Sequence, residues 1–192
     1  MVKFTGASIV LLTVLLLPPP LYAQDKEALD RGEISVRTVD VAGSELPKVV
    51  VQGVIDASPA KVWELVSNCD NYVRRMPRIK AARIVERKGS TVICEVTVGL
   101  PFPISDLRAT TRATHVVGPP TWSRTWTLIE GDYEKNDGSW VLTPFGDDGD
   151  RTLATYSVHA IPNTSVPAWA RRRAQQSSMP EIIERLRKEV KK

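Results

Sequence analysis

Chemistry in this 192-residue chain would have to come from two histidines, two cysteines and a few arginines set in strand-like runs. His115 and His159 both fall in such runs, and neither has a second histidine or an acidic residue at a metal-ligating spacing. No serine sits in a Gly-x-Ser-x-Gly elbow, and Lys88-Gly89-Ser90 reads as a tight turn rather than a phosphate loop. A general acid or base needs partners that converge on one point. Nothing here converges, so the sequence offers no catalytic constellation and calls for no metal or cofactor. Cys69 and Cys94 lack a C-x-x-C spacing. Cys94 shares a strand face with Val92, Val96 and Val98, and Cys69 lies in the polar turn Ser67-Asn68-Cys69-Asp70-Asn71. A bridge between them and two separate thiols both remain open, because a bridge depends on a Cα separation that sequence does not contain.

Recognition chemistry is better represented. Arg108 and Arg112 alternate with Thr110 on one face of a strand that begins near Asp106. That face is either solvated or, if turned inward, able to hold a ligand carboxylate or phosphate through a guanidinium fork. Trp122 and Trp126 share a strand face, as do Trp140 and Leu142, and five tryptophans against three phenylalanines favour amphipathic aromatics. They serve as core packing or as the wall of a binding site. Leu100-Pro101-Phe102-Pro103-Ile104 is apolar where a hairpin connection would be polar, which makes it an entrance loop or a plug. Trp169, followed by Arg171-Arg172-Arg173, forms a solvated helix surface or a patch suited to anionic headgroups.

The elements that must position these residues follow from periodicity. Residues 1–23 combine Lys3, an uncharged apolar run over 7–17, three prolines at 18–20 and Ala23 before Gln24, the pattern of a signal peptide cut near Ala23. The apolar run is short for a bilayer span, for which about 20 residues are needed, so cleavage is the leading reading and retention as an anchor the alternative. Export then places the protein in the periplasm or outside the cell. Residues 24–47 form an extension, charged and briefly helical at first, with a strand over 33–41. Residues 48–190 carry the main domain. A strand over 48–55 is followed by a helix capped by Ser58 with Pro59 in its first turn, and by a short helix over 71–75 that stops at Pro77. Strands follow at 79–87, 91–98, 107–117, 121–130, 133–144 and 151–161, with turns expected at Gly118-Pro119-Pro120, Asn136-Asp137-Gly138 and 146–149. The chain closes with one long helix over 167–190, about 36 Å at 1.5 Å per residue, whose apolar stripe is Met179, Ile182, Ile183, Leu186 and Val190.

This is an α+β pattern: a curved antiparallel sheet of six to eight strands, two short helices, and a long C-terminal helix to cover the concave face. Small residues at Ala170, Ala174, Ser177 and Ser178 would hold that helix away from the sheet, and Pro180 is expected to kink it. A cavity is the expected result. Composition excludes disorder, collagen and a disulfide scaffold. A net charge of +4 is a small surplus that does not imply nucleic acid.

These elements, in this order, resemble the helix-grip superfamily that includes StAR-related lipid-transfer domains, polyketide cyclases and the coenzyme-Q-binding family. The carriers are Val54-Ile55-Asp56-Ala57-Ser58-Pro59-Ala60-Lys61-Val62-Trp63, Asn71-Tyr72 with Met76-Pro77, and the proline-flanked run over 100–108. Glu130-Gly131-Asp132-Tyr133, Gly138-Ser139-Trp140 and Thr152-Leu153-Ala154-Thr155-Tyr156 continue the likeness. The resemblance implies an apolar or amphipathic ligand, such as a lipid, sterol, quinone or polyketide, held between sheet and helix. It also matches Asp106 and Arg108 to a polar pair near the cavity rim of lipid-transfer relatives. The expected ligand contacts are Tyr72, Phe102, Arg108, Trp126, Trp140, Ala174, Ser177 and Ser178, with transient membrane contact through Phe102, Trp169 and Arg171. An exported binding or transfer protein is the leading reading. An aromatase/cyclase using Arg108 or Tyr72, and a protein-interaction module without a ligand, are the alternatives.

Overall fold

The computed structural model describes residues 23–173 and 178–192. Eight antiparallel strands form one sheet in the order β1-β2-β8-β7-β6-β5-β4-β3, with β1 at Ser35–Val39, β2 at Lys48–Ile55, β3 at Ile79–Lys88 and β4 at Thr91–Val98. The remaining strands are β5 at Leu107–Val116, β6 at Trp122–Gly131, β7 at Tyr133–Phe145 and β8 at Arg151–Pro162. Bulges interrupt the β3/β4, β5/β6 and β7/β8 ladders. Such insertions bend and twist a strand, which is how an apolar face becomes concave.

Helix α1 covers Ala23–Asp30, α2 Pro59–Val66, α3 Tyr72–Arg75, α4 Ala168–Arg173 and α5 Met179–Glu189. The start of α2 follows the sequence logic: the Ser58 side chain accepts from the Lys61 amide, and Pro59 occupies the first turn. On the inner side of the sheet, α5 lays down Ile182, Ile183 and Leu186. It approaches β2 so closely that a Cβ on Gly53 would collide with Ile183. Arg187 fastens it there, its Nε donating to the Val54 carbonyl and its Nη1 to that of Gly32, each at 2.9 Å. The convex side is sealed near β2 by α1, where buried Leu29 meets Val54, Phe145 and Leu153.

One sequence expectation changes. Asn136-Asp137-Gly138 makes no turn. All three residues lie inside β7, paired with Ala160, His159 and Val158 of β8. Ladder pairing overrides their local turn preference, and the reversal occurs at Gly131 and Asp132 instead. Pro180 falls in the first turn of α5, and a π-helical turn at Ser178 directly precedes that helix. Of the single helix expected over 167–190, the described parts are α4 and α5, and residues 174–177 lie outside the described residues.

Cys69 and Cys94 are joined in a disulfide, with Cα atoms 6.4 Å apart and both residues buried. The bridge ties the 3-10 turn Cys69–Asn71, which leads into α3, to the middle of β4. It closes a segment with a sequence separation of 25, for which loop-closure entropy corresponds to roughly 3 kcal/mol. Replacing both cysteines by alanine should lower the unfolding free energy by about that amount. Urea titration of the double variant and of the oxidised wild type, followed by tryptophan fluorescence, measures it; an unchanged midpoint would mean that the bridge contributes nothing.

Candidate functional site

The concave face does not fill completely. A cavity of about 210 Å³ lies between it and the start of α5, with Val96, Ala109, Trp126 and Trp140 on the sheet side and Met179 and Ile182 on the helix side. Tyr72 and Met76 from the α3 segment close one flank. Three aromatic rings form its floor: Tyr156 packs against Trp140 at 4.9 Å and against Trp126 at 5.8 Å between centroids. Trp126 lies across Gly138 of the next strand, where any Cβ would strike the indole. Its Nε1 donates to Asn136 Oδ1 at 3.2 Å, which fixes the ring plane.

Polar groups in the cavity are few. The Tyr72 hydroxyl donates to the Val66 carbonyl at 2.6 Å and is thereby committed to holding α2 against α3. The Tyr156 hydroxyl has no hydrogen-bond partner among the described residues, and burial pushes its pKa well up, so it remains a neutral phenol. Ser178 Oγ accepts from Arg78 Nε at 2.6 Å. Arg124 is the outlier, a cavity-lining cation only 4% exposed. Its guanidinium carbon lies 5.3 Å from the centroid of Trp126 and 5.7 Å from that of Tyr72.

Of the ligand contacts expected from sequence, Tyr72, Trp126, Trp140 and Ser178 line this cavity. Ala174 and Ser177 lie outside the described residues. Phe102 does not reach the cavity: it is 94% exposed, and Leu100 of the same loop turns inward in its place. Arg108 is also outside. Along β5 the residues Leu107, Ala109, Thr111, Ala113 and His115 point inward, which sends Arg108 and Arg112 to solvent. Asp106 is committed to the loop, accepting from the Leu100 amide and pairing with Lys80 Nζ at 2.8 Å. Trp169 is half exposed, and Arg171 Nη1 donates to the Val166 carbonyl at 2.6 Å.

The residue missed at the sequence level is Arg124. The signal for it was present: it stands between Trp122 and Trp126 at two-residue spacing, so all three share a face. Neither histidine is part of the cavity lining. His159 Nε2 lies 2.9 Å from Ser44 Oγ and 3.0 Å from the Leu46 carbonyl, anchoring the connection between β1 and β2. His115 stands edge-on to Trp63 at 5.0 Å, next to Arg124 in the β5/β6 register. Among the described residues no group of three or more His, Cys, Asp or Glu could hold a metal ion.

A family model described as polyketide cyclase/dehydrase and lipid transport matches residues 55–187. The chain belongs to that family. No protein of curated function matches it. Among solved structures, the STAR-related lipid transfer protein of Xanthomonas axonopodis (fragment 25–204) is similar with a TM-score of 0.71 and 18% identity, over 83% of this chain and 94% of that one. Human StAR-related lipid transfer protein 5 gives 0.72 and 15%, over 88% and 96%. An aromatase/cyclase from Streptomyces sp. R1128 gives 0.60 and 16%, over 75% and 93%. These likenesses establish the START-like helix-grip fold. Membership and fold together make this a domain for hydrophobic-ligand binding or transfer, or for a cyclase-like role.

In this family member the interior has a pH-sensitive neighbour of the cavity. Burial, reinforced by the charges of Arg124 and Arg87, lowers the pKa of His115 from 6.5 to about 4. Between these values the unfolded chain holds more protons at this ring than the folded one, so stability falls as pH drops through that window. Well above pH 6.5 the ring is neutral in both states and its contribution levels off. Urea midpoints at pH 7.5 and pH 5 should differ by less in His115→Phe than in the wild type; equal differences would show that another group governs the slope.

Proposed function

We propose that this protein binds a small amphipathic molecule in the cavity and carries or shields it outside the cytoplasm. The observation that carries the reading is the cavity itself, bounded by apolar side chains in a domain whose inner face is otherwise packed. Removing apolar surface from water contributes about 25 cal/mol per Å², so a ring system or a short chain gains affinity without any covalent step. Ligand pockets commonly run from about 300 to 1,000 Å³. The volume of about 210 Å³ therefore favours a molecule with one short chain or one or two rings over a two-tailed lipid. Exposed Phe102 and Trp169 suit transient contact with a membrane from which such a ligand could be collected.

Ala109 is buried, small and directed at the cavity, so Ala109→Phe should fill it. The expected outcome is at least a tenfold loss of affinity for the neutral dye N-phenyl-1-naphthylamine, with the far-UV circular dichroism unchanged. Undiminished dye binding in the folded variant would place the binding site elsewhere.

Export is supported by the signal-peptide pattern of residues 1–23 and by the Cys69–Cys94 bridge, since disulfides persist mainly in oxidising compartments. Full-length protein expressed in a Gram-negative host should appear in the periplasmic fraction with Gln24 as its first residue. An N-terminus still beginning with residues 1–23 would contradict cleavage.

A further inference from the structure

We propose that the cavity selects amphipathic monocarboxylates, with the guanidinium of Arg124 as the partner of the carboxylate. The inference rests on the cavity being the binding site and goes beyond it by naming what the ligand must carry.

Arginine stays charged at any physiological pH, so burial cannot be relieved by losing a proton. Arg124 is nonetheless buried without an anion. It forms no ion pair among the described residues, and the cavity lining contains no acidic side chain. Residues 1–22 and 174–177, which lie outside the described set, contain neither Asp nor Glu, so none of them can supply the missing charge. Its hydrogen bonds are equally incomplete. Nη2 donates to Cys94 Sγ at 3.3 Å, a weak acceptor, and Nε is buried with no acceptor among the described residues. The ring faces of Tyr72 and Trp126 compensate in part but accept no fork of N–H donors. A buried cation left in this state is destabilising until an anion completes it.

The chemistry of that anion follows from its surroundings. One guanidinium carries one positive charge, which a carboxylate neutralises; a phosphate monoester, at about −1.5 to −2, would leave negative charge buried. The Tyr156 hydroxyl, unbonded among the described residues and lining the same cavity, offers a neutral second donor. Val96, Val98 and Ile182 supply an apolar wall for the remainder of the molecule. Arg78 also lines the cavity and carries a second charge, but it is only part-buried, so water screens it, and its Nε already donates to Ser178 Oγ; the buried charge to be neutralised is that of Arg124.

The test is displacement of N-phenyl-1-naphthylamine from the purified, disulfide-bonded protein by decanoate, decanol and decyl phosphate. Decanoate should displace the dye at a concentration at least tenfold below that of decanol, and decyl phosphate should do no better than decanoate. In Arg124→Met the preference for decanoate over decanol should disappear, a change in ratio that a purely structural role would not produce. Arg124→Gln, which keeps a polar head, should lose the preference in the same way and serves if the methionine variant does not fold. Several results would overturn the proposal: equal competition by decanoate and decanol in the wild type, stronger competition by decyl phosphate, or a preference that survives in the Arg124 variants or depends on Arg78 instead. If neither decanoate nor decanol competes although the dye binds and Ala109→Phe blocks it, the cavity reading stands and the carboxylate is wrong. If nothing binds, dye included, the cavity reading fails first.

Discussion

A mismatch of size governs this structure. Eight strands at about 4.8 Å spacing make a sheet some 34 Å wide, whereas α5, with 11 residues, is about 16 Å long. One helix of that length cannot cover the concave face. Its packing is spent on the β2 side, where Gly53 lets Ile183 approach the backbone and Arg187 fastens the helix to two carbonyls. Over β6 to β8 part of the remaining apolar face is covered by α2 through Val62, Leu65 and Val66, and the rest is filled by side chains of the sheet itself. Trp126, Trp140 and Tyr156 do most of this, and Gly138 is required so that the indole of Trp126 can lie across the next strand. The cavity is the space that these rings leave uncovered.

The same region concentrates the polar interior. The disulfide joins the turn before α3 to β4, and its Cys94 sulfur receives the only hydrogen bond that the Arg124 side chain donates among the described residues. Tyr72, carried into place by that turn, offers its ring face to the same guanidinium while its hydroxyl holds the end of α2. Cross-link, cation and aromatic rings thus form one unit, so movement of the turn would be felt at the cavity. The positive charge also acts on its cross-strand neighbour His115, which burial and like charge together keep neutral at pH 7.

On the opposite side, the segment before residue 48 contributes to the sheet. Strand β1 pairs with β2 from Ser35 to Val39, and α1 places Leu29 over Val54, Phe145 and Leu153. The ion pair between Asp30 and Arg151, at 2.7 Å, joins the end of α1 to the start of β8. Because Arg187 of α5 donates to both Gly32 and Val54, the closing helix, the leading segment and β2 are connected through one side chain.

Most elements were legible in the sequence because they depend on local rules. Ser58-Pro59 specifies a helix start, valine-rich alternation specifies β2 and β4, and the stripe from Met179 to Val190 specifies which side of α5 turns inward. The reading failed at Asn136-Asp137-Gly138, where a local turn signal yields to pairing on both sides of the strand, and at Arg108, whose side of β5 depends on which alternate residues face the core. It also failed to single out Arg124. Two-residue spacing places that arginine with Trp122 and Trp126, but spacing alone does not say that this face is the concave one or that no carboxylate reaches it. The sequence by itself determined the order of elements and the amphipathic faces, since these follow from propensity and periodicity over neighbouring residues. Only the tertiary structure decided the disulfide, the incomplete cover and the unpaired cation, because each depends on distances between residues far apart in the chain.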